Sequence, residues 1–234
     1  MTTTVLVLLP GLDGTGLLFR RLVDVLPDAV RPRVHAYSGS RAESYAELLP
    51  GVLAQLPRDE PFVLLGESFS GPLALMAAAT RPAGLRAVIL CATFVRNPVS
   101  LVPGWASGLV GAPLFRLYPV VVALKKWFGR FSTPGLRAGV AEALTRVERR
   151  VLAHRVRTVM RVDATEELRA CPVPVLYLAG EHDWIVPARN LRRILRVRPD
   201  VRVARIGSPH MVLQVRPREA AAAIAAFIEA LPQA

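Results

Sequence analysis

Lysine is nearly absent from this chain. Of 30 basic residues only Lys125 and Lys126 are lysine; the rest are arginine. Beside abundant alanine and proline, that skew reads first as a compositional bias and second as a preference for anionic partners. Cysteine is equally scarce. Cys91 and Cys171 alone do not make a disulfide framework. Aromatics reach only 6% and are not interleaved with the arginines, which disfavours nucleic acid as a partner. No basic stretch precedes the first apolar run, which is only Val5 to Leu9. No secretory signal is therefore expected, and the expected location is cytoplasmic. Gly14-Thr15-Gly16 lacks a following Gly-Lys-Ser/Thr, which sets a phosphate loop aside. No His/Cys/Glu spacing supports a metal site, and no cofactor is expected. Internal repeats and low-complexity tracts are also missing.

What remains is apolar and periodic. With 234 residues and 52% hydrophobic content, one compact domain with a substantial core is expected. Strand patterns fall near 4–9, 33–36, 61–66, 85–91, 173–179 and 201–206. Helical patterns fall near 17–26, 43–56, 69–80, 187–197 and 217–230. Such alternation predicts an α/β protein: a six-stranded, mainly parallel sheet with helices on both faces. The interval from residue 92 to 172 is too long for an ordinary crossover. It reads as an inserted helical cap, so that 1–96 and 170–234 form the core and 97–169 the cap. Residues 97–115 carry no charge but are broken by Pro98, Pro103, Gly104, Gly108, Gly111 and Pro113. That favours a lid with an apolar underside over a membrane span. Leu114 to Phe131 mixes aromatic and basic residues, a pattern open to peripheral membrane contact. Val140 to Val162 reads as an arginine-rich amphipathic helix. Residues 1–95 carry 8 basic and 8 acidic side chains, whereas 96–169 carry 13 and 5. Much of the positive excess is thus expected on the cap, where an acyl carrier protein or another anionic carrier could dock.

Val63-Leu64-Leu65-Gly66-Glu67-Ser68-Phe69-Ser70-Gly71 is the most informative stretch. An apolar strand ends in Gly-x-Ser-x-small, and a helical alanine-rich run follows. That is the strand, sharp turn and helix that expose a nucleophilic serine. Ser70 stands where the motif usually has glycine. Asp183 follows the strand pattern Val173–Ala179, and His210 follows Val201–Ile206. Ser68, Asp183 and His210 thus occur in the chain order of a hydrolase triad, each just past a strand. His35 and His154 sit in a strand end and a helix, and His182 only adjoins the proposed acid. Glu181 is the nearest substitute for Asp183. Asp13 is expected to order its loop and Asp163 to cap a helix; Glu67 is expected either to line the pocket or, more often for such a residue, to be partly exposed and structural.

These motifs, with Leu9-Pro10-Gly11-Leu12-Asp13-Gly14-Thr15-Gly16, resemble the α/β-hydrolase superfamily over nearly the whole chain. The two short motifs also resemble its phytyl ester synthase-like acyltransferase and esterase branch, with Pro10-Gly11 replacing the usual His-Gly. The resemblance implies an oxyanion hole from the backbone N–H groups of Leu12 and Phe69. The expected function is hydrolysis of a carboxylic ester or thioester with a hydrophobic acyl group, through an acyl-enzyme and without a cofactor. An acyltransferase using a lipophilic alcohol would share every one of these residues. A non-catalytic binding protein on the same scaffold is the alternative of another class.

Overall fold

The computed structural model describes residues 3–98 and 131–232. Six strands form one sheet: β1 Thr4–Leu9, β2 Val30–Val34, β3 Phe62–Glu67, β4 Leu85–Cys91, β5 Val175–Gly180 and β6 Arg202–Ile206. Their order is β2-β1-β3-β4-β5-β6, and every pair is parallel. The nine α-helices among the described residues are α1 Arg20–Val23, α2 Tyr45–Ala54, α3 Ser70–Ala79, α4 Pro134–Thr145, α5 Arg149–Arg161, α6 Thr165–Ala170, α7 Arg189–Val197, α8 Val212–Val215 and α9 Pro217–Glu229. A 3₁₀ turn, Leu17–Phe19, precedes α1.

The central strands are apolar along their whole length because both faces are covered. Successive side chains point to opposite faces. Val5, Val7, Leu9, Phe62, Leu64, Val88 and Leu90 join one core with residues of α2, α3, α6 and α7. Leu6, Leu8, Val63, Leu65, Ala87 and Ile89 join the other with residues of α1, α8 and α9. Each buried leucine- or valine-sized side chain contributes about 1.5–3 kcal/mol of transfer free energy. Helix α3 is buried on nearly all sides, so its alanine-rich sequence, without a polar face, is what a central helix requires.

β1 is followed by elements on one face and β3 by α3 on the other, so the chain reverses direction between these neighbouring strands. Their carboxyl ends lie level, with Leu9 opposite Gly66. A crevice forms at such a point, and the loops after both strands emerge into it.

Three sequence expectations shift. β2 begins three residues before the expected position. It is an edge strand paired only to β1, and its Arg31, Pro32 and Arg33 hide the apolar pattern; edge strands tolerate such residues. The helix expected over 17–26 is a 3₁₀ turn and one short α-helix. The helix expected from Val140 to Val162 is two. It breaks at Arg146–Glu148, where Glu148 N–H donates to Gly39 O at 2.9 Å. A Cβ on Gly39 would lie 2.2 Å from Arg146 O, so glycine there lets the break approach. Nearly all of the uncharged 97–115 run, and of Leu114 to Phe131, lies outside the described residues. Among the described residues no helix is long and apolar enough to cross a membrane.

Candidate active site

Ser68 lies between β3 and α3 with φ +48°, a left-handed conformation that costs a non-glycine residue about 1–3 kcal/mol. Two backbone bonds hold it there. Ser68 N–H donates to Cys91 O at 2.9 Å, and Gly71 N–H donates to Ser68 O at 3.2 Å. Thr93 Oγ1 also donates to Ser68 O. The turn needs close backbone approach. A Cβ on Gly66 would sit 2.5 Å from Ser70 O, and one on Gly71 would meet Thr93 Oγ1 at 2.1 Å.

Ser70 explains its departure from the glycine usual at that place. It is fully buried, and its hydroxyl donates to Pro10 O. Its one proton is thereby used, so the Tyr37 hydroxyl, 2.6 Å away, donates to Ser70 Oγ. The serine turn is thus tied directly to the loop after β1, a tie that a glycine could not make.

His210 follows β6, and its Nε2 is 2.8 Å from Ser68 Oγ. Its Nδ1 is 2.8 Å from Asp183 Oδ2. An ionised carboxylate only accepts, so Nδ1 carries the proton and Nε2 is the acceptor for the serine hydroxyl. Asp183 follows β5, and its other oxygen, Oδ1, accepts from the N–H groups of Ile185 and Val186, both at 2.9 Å. Gly180 lets the two loops meet, because a Cβ there would lie 2.6 Å from Pro209 O. Burial pulls the imidazole towards its neutral form. The charge and hydrogen bond of Asp183, with the charge of Glu67, outweigh burial and raise its pKa above 6.5. A hydrogen-bonded Ser–His–Asp chain of this kind can activate the serine and stabilise the imidazolium that forms.

An apolar cavity of about 220 Å³ adjoins Ser68. Leu18, Phe94, Ile185 and Met211 line it from the core, and Val140 of α4 and Val159 of α5 from the β4–β5 connection. Gly11, Leu12 and Phe69 border it beside the serine. Phe69 opens α3, whose N-terminus favours negative charge. Asp13 orders its loop as expected: Thr15 N–H donates to Asp13 Oδ2 at 2.9 Å. Glu67 takes the pocket-lining one of its two expected places. It is 5% exposed, borders the cavity and accepts from Gln214 Nε2 at 2.9 Å. Burial pushes its carboxyl up to about 7.

The other candidates lie elsewhere. His35 is buried beyond β2, and its pKa is lowered by burial. His154 lies in α5 and Asp163 just before α6, bonded to Thr165 N–H at 3.1 Å. Cys91 and Cys171 are buried and free. Among the described residues no cluster of three or more His, Cys, Asp or Glu could hold a metal ion. Sequence reading missed Tyr37, Gln214 and Arg155 as partners of this region. Only Arg155 left a signal: it stands at the i+4 place between Val151 and Val159, inside the apolar stripe of α5.

The chain belongs to the α/β-hydrolase family, whose model matches residues 6–224. Its fold is close to that of a bromoperoxidase from Bacillus anthracis, at TM-score 0.83 and 18% identity, covering 97% of this chain and 92% of that one. It is also close to the esterase EaEST from Exiguobacterium antarcticum, at TM-score 0.83 and 13% identity, covering 98% and 93%. A thermophilic esterase from Thermogutta terrifontis matches at TM-score 0.80 and 20% identity, covering 97% and 90%. At such identities the likeness is one of fold. In sequence the chain is 27% identical over 250 residues to the polyketide synthase ThaQ of Burkholderia thailandensis. That match covers 95% of this chain but only 12% of the relative.

Proposed function

We propose that the protein is a serine hydrolase that cleaves a carboxylic ester or thioester with a hydrophobic acyl group. The observation that carries this reading is the Ser68–His210–Asp183 hydrogen-bond chain beside an apolar cavity. Ser68 Oγ attacks the carbonyl carbon while His210 Nε2 takes its proton. Asp183 holds the imidazole in the right tautomer and stabilises the imidazolium. The N–H groups of Leu12 and Phe69 hold the oxyanion, at roughly 3 kcal/mol per donor. His210 then gives the proton to the leaving alcohol or thiol, and an acyl-enzyme remains. Water, activated by the same histidine, releases the acid and restores Ser68. The likeness to part of a polyketide synthase supports keeping a thioester beside an ester.

A second reading is favoured by the Leu9–Gly16 and Leu65–Phe69 motifs, which resemble the phytyl ester synthase-like branch. In it a lipophilic alcohol replaces water as the acceptor. One experiment addresses both readings: products from acyl esters of graded chain length, with and without a long-chain alcohol, beside Ser68→Ala. The hydrolase reading expects free acid, rates that favour longer acyl groups and a silent Ser68→Ala. New ester formed at the expense of acid would favour the transferase. A Ser68→Ala protein as active as wild type would sink both.

A further inference from the structure

Arg155 comes from α5, in the β4–β5 connection, and reaches across to the loop after β1. It is 1% exposed. Nη1 donates to Leu12 O at 3.0 Å and to Asp13 O at 2.8 Å, and Nη2 donates to Ser38 O at 2.9 Å. The guanidinium carbon lies 5.7 Å from the centre of the Tyr37 ring. Among the described residues its hydrogen-bond partners are backbone carbonyls, beside a ring face; the Asp13 and Glu43 carboxylates act on it only through space, and burial outweighs them. Burying a cation on such partners is costly. A leucine or methionine would continue the apolar stripe of α5 without that cost. The arginine is therefore best explained by what it holds.

What it holds is a β-turn. Gly14 N–H donates to Gly11 O at 3.0 Å, which makes Leu12 and Asp13 the two central residues. A peptide unit is planar and trans, so fixing its carbonyl fixes its N–H in the opposite direction. The Leu12 N–H belongs to the Gly11–Leu12 unit, which is fixed by the bond from Gly14 N–H to Gly11 O; Arg155 fixes the Leu12–Asp13 and Asp13–Gly14 units, and the second of these carries that Gly14 N–H. Leu12 is thus held from both sides, and its N–H has one direction. Ser70 and Tyr37 anchor the start of the same loop through Pro10 O. Gly14 fits the cation closely: it has φ +70°, and a Cβ there would lie 2.5 Å from Arg155 Nη1.

We infer that Arg155 is a positioning residue for the oxyanion hole, locking the Leu12 N–H in the direction that the tetrahedral intermediate needs. The inference rests on the hydrolase reading above. It makes activity depend on the seating of α5, so the β4–β5 connection acts on the chemistry as well as on the acyl group.

The test uses Arg155→Met and Arg155→Lys in the full chain, with Ser68→Ala alongside, on a short-chain nitrophenyl ester. Misaligning one oxyanion donor costs a factor on the order of 10² in kcat. Arg155→Met should lose that factor while KM stays within about twofold, because the lost interaction belongs to the transition state. A trifluoromethyl ketone inhibitor, which forms a tetrahedral oxyanion on the serine, should weaken by the same factor as kcat/KM. An ammonium cannot span three carbonyls as the planar guanidinium does, so Arg155→Lys should fall about tenfold in kcat. That variant decides the matter if Arg155→Met does not fold. Wild-type kcat in either folded variant, or a loss carried by KM with unchanged inhibitor affinity, overturns the inference. If Arg155→Met is as active as wild type while Ser68→Ala is silent, only the role of Arg155 has failed. If Ser68→Ala is itself active, the hydrolase reading has failed and takes the inference with it.

Discussion

At the scale of single residues, two titrations follow from the site. His210 must be neutral to accept the serine proton, and its pKa is raised. kcat/KM should therefore rise with pH through a midpoint above that of free imidazole. Asp183→Asn removes the charge behind that shift, so the midpoint should fall and turnover should drop by about 10⁴-fold. pH–rate profiles of both proteins check this; an unmoved midpoint contradicts the pairing. Glu67 gives the second titration. Its carboxyl titrates near 4.5 when unfolded, and burial lifts it to about 7 in the fold. Between those values the folded protein binds more protons than the unfolded chain. Its contribution to stability is thus largest below the lower value and falls as pH rises to the upper one. Glu67→Gln removes that loss, because an amide does not ionise at these pH values. Melting should show Glu67→Gln gaining on wild type at about pH 8 relative to about pH 4.5; an equal difference at both contradicts a buried, protonated carboxyl. Ser68, Asp183 and His210 were legible in the sequence because each ends a strand pattern. The contacts of Ser70, Tyr37 and Gln214 were not, because their partners lie far along the chain and polar contacts leave no periodic trace.

At the scale of elements, the strand–turn–helix around Ser68 depends on contact between backbones. Gly66→Ala would drive a Cβ into Ser70 O, and neither the buried strand β3 nor the buried start of α3 can retreat. Overpacking of this kind costs about 1–3 kcal/mol. A lower denaturation midpoint at unchanged slope is the expected result, and wild-type stability would contradict the close approach. The buried strands β1, β3, β4 and β5 were readable because a strand covered on both faces needs a short, continuous apolar run, and each has one. The edge strand β2 was misplaced because its pairing is made by backbone and, apart from the buried Val30 and half-buried Pro32, its side chains face water. The break between α4 and α5 was missed because it is fixed by Gly39, distant in sequence, and not by a local helix stop.

At the scale of the molecule, the reversal of strand order between β1 and β3 gathers one loop from each into a single crevice, and the β5 and β6 loops bring Asp183 and His210 to it. The basic excess of residues 96–169 adds a separable expectation for a carrier-linked thioester. Arg150 pairs with Glu148 and donates to Ser40 O, so a charge test is better placed on Arg149, which is exposed. Reversing its charge should weaken use of a phosphate-bearing substrate chiefly at low salt, since exposed charges are screened beyond about 8–10 Å at physiological ionic strength. Small neutral esters should be unaffected, and an equal response of both substrates at two salt concentrations contradicts carrier docking. The central claim is that Ser68 is a nucleophile activated by His210 and Asp183. Its most direct test is a fluorophosphonate probe followed by peptide mapping. One label per chain is expected, on Ser68, lost in Ser68→Ala and strongly slowed in His210→Ala. A label on another residue, or none on the folded protein, would contradict the claim.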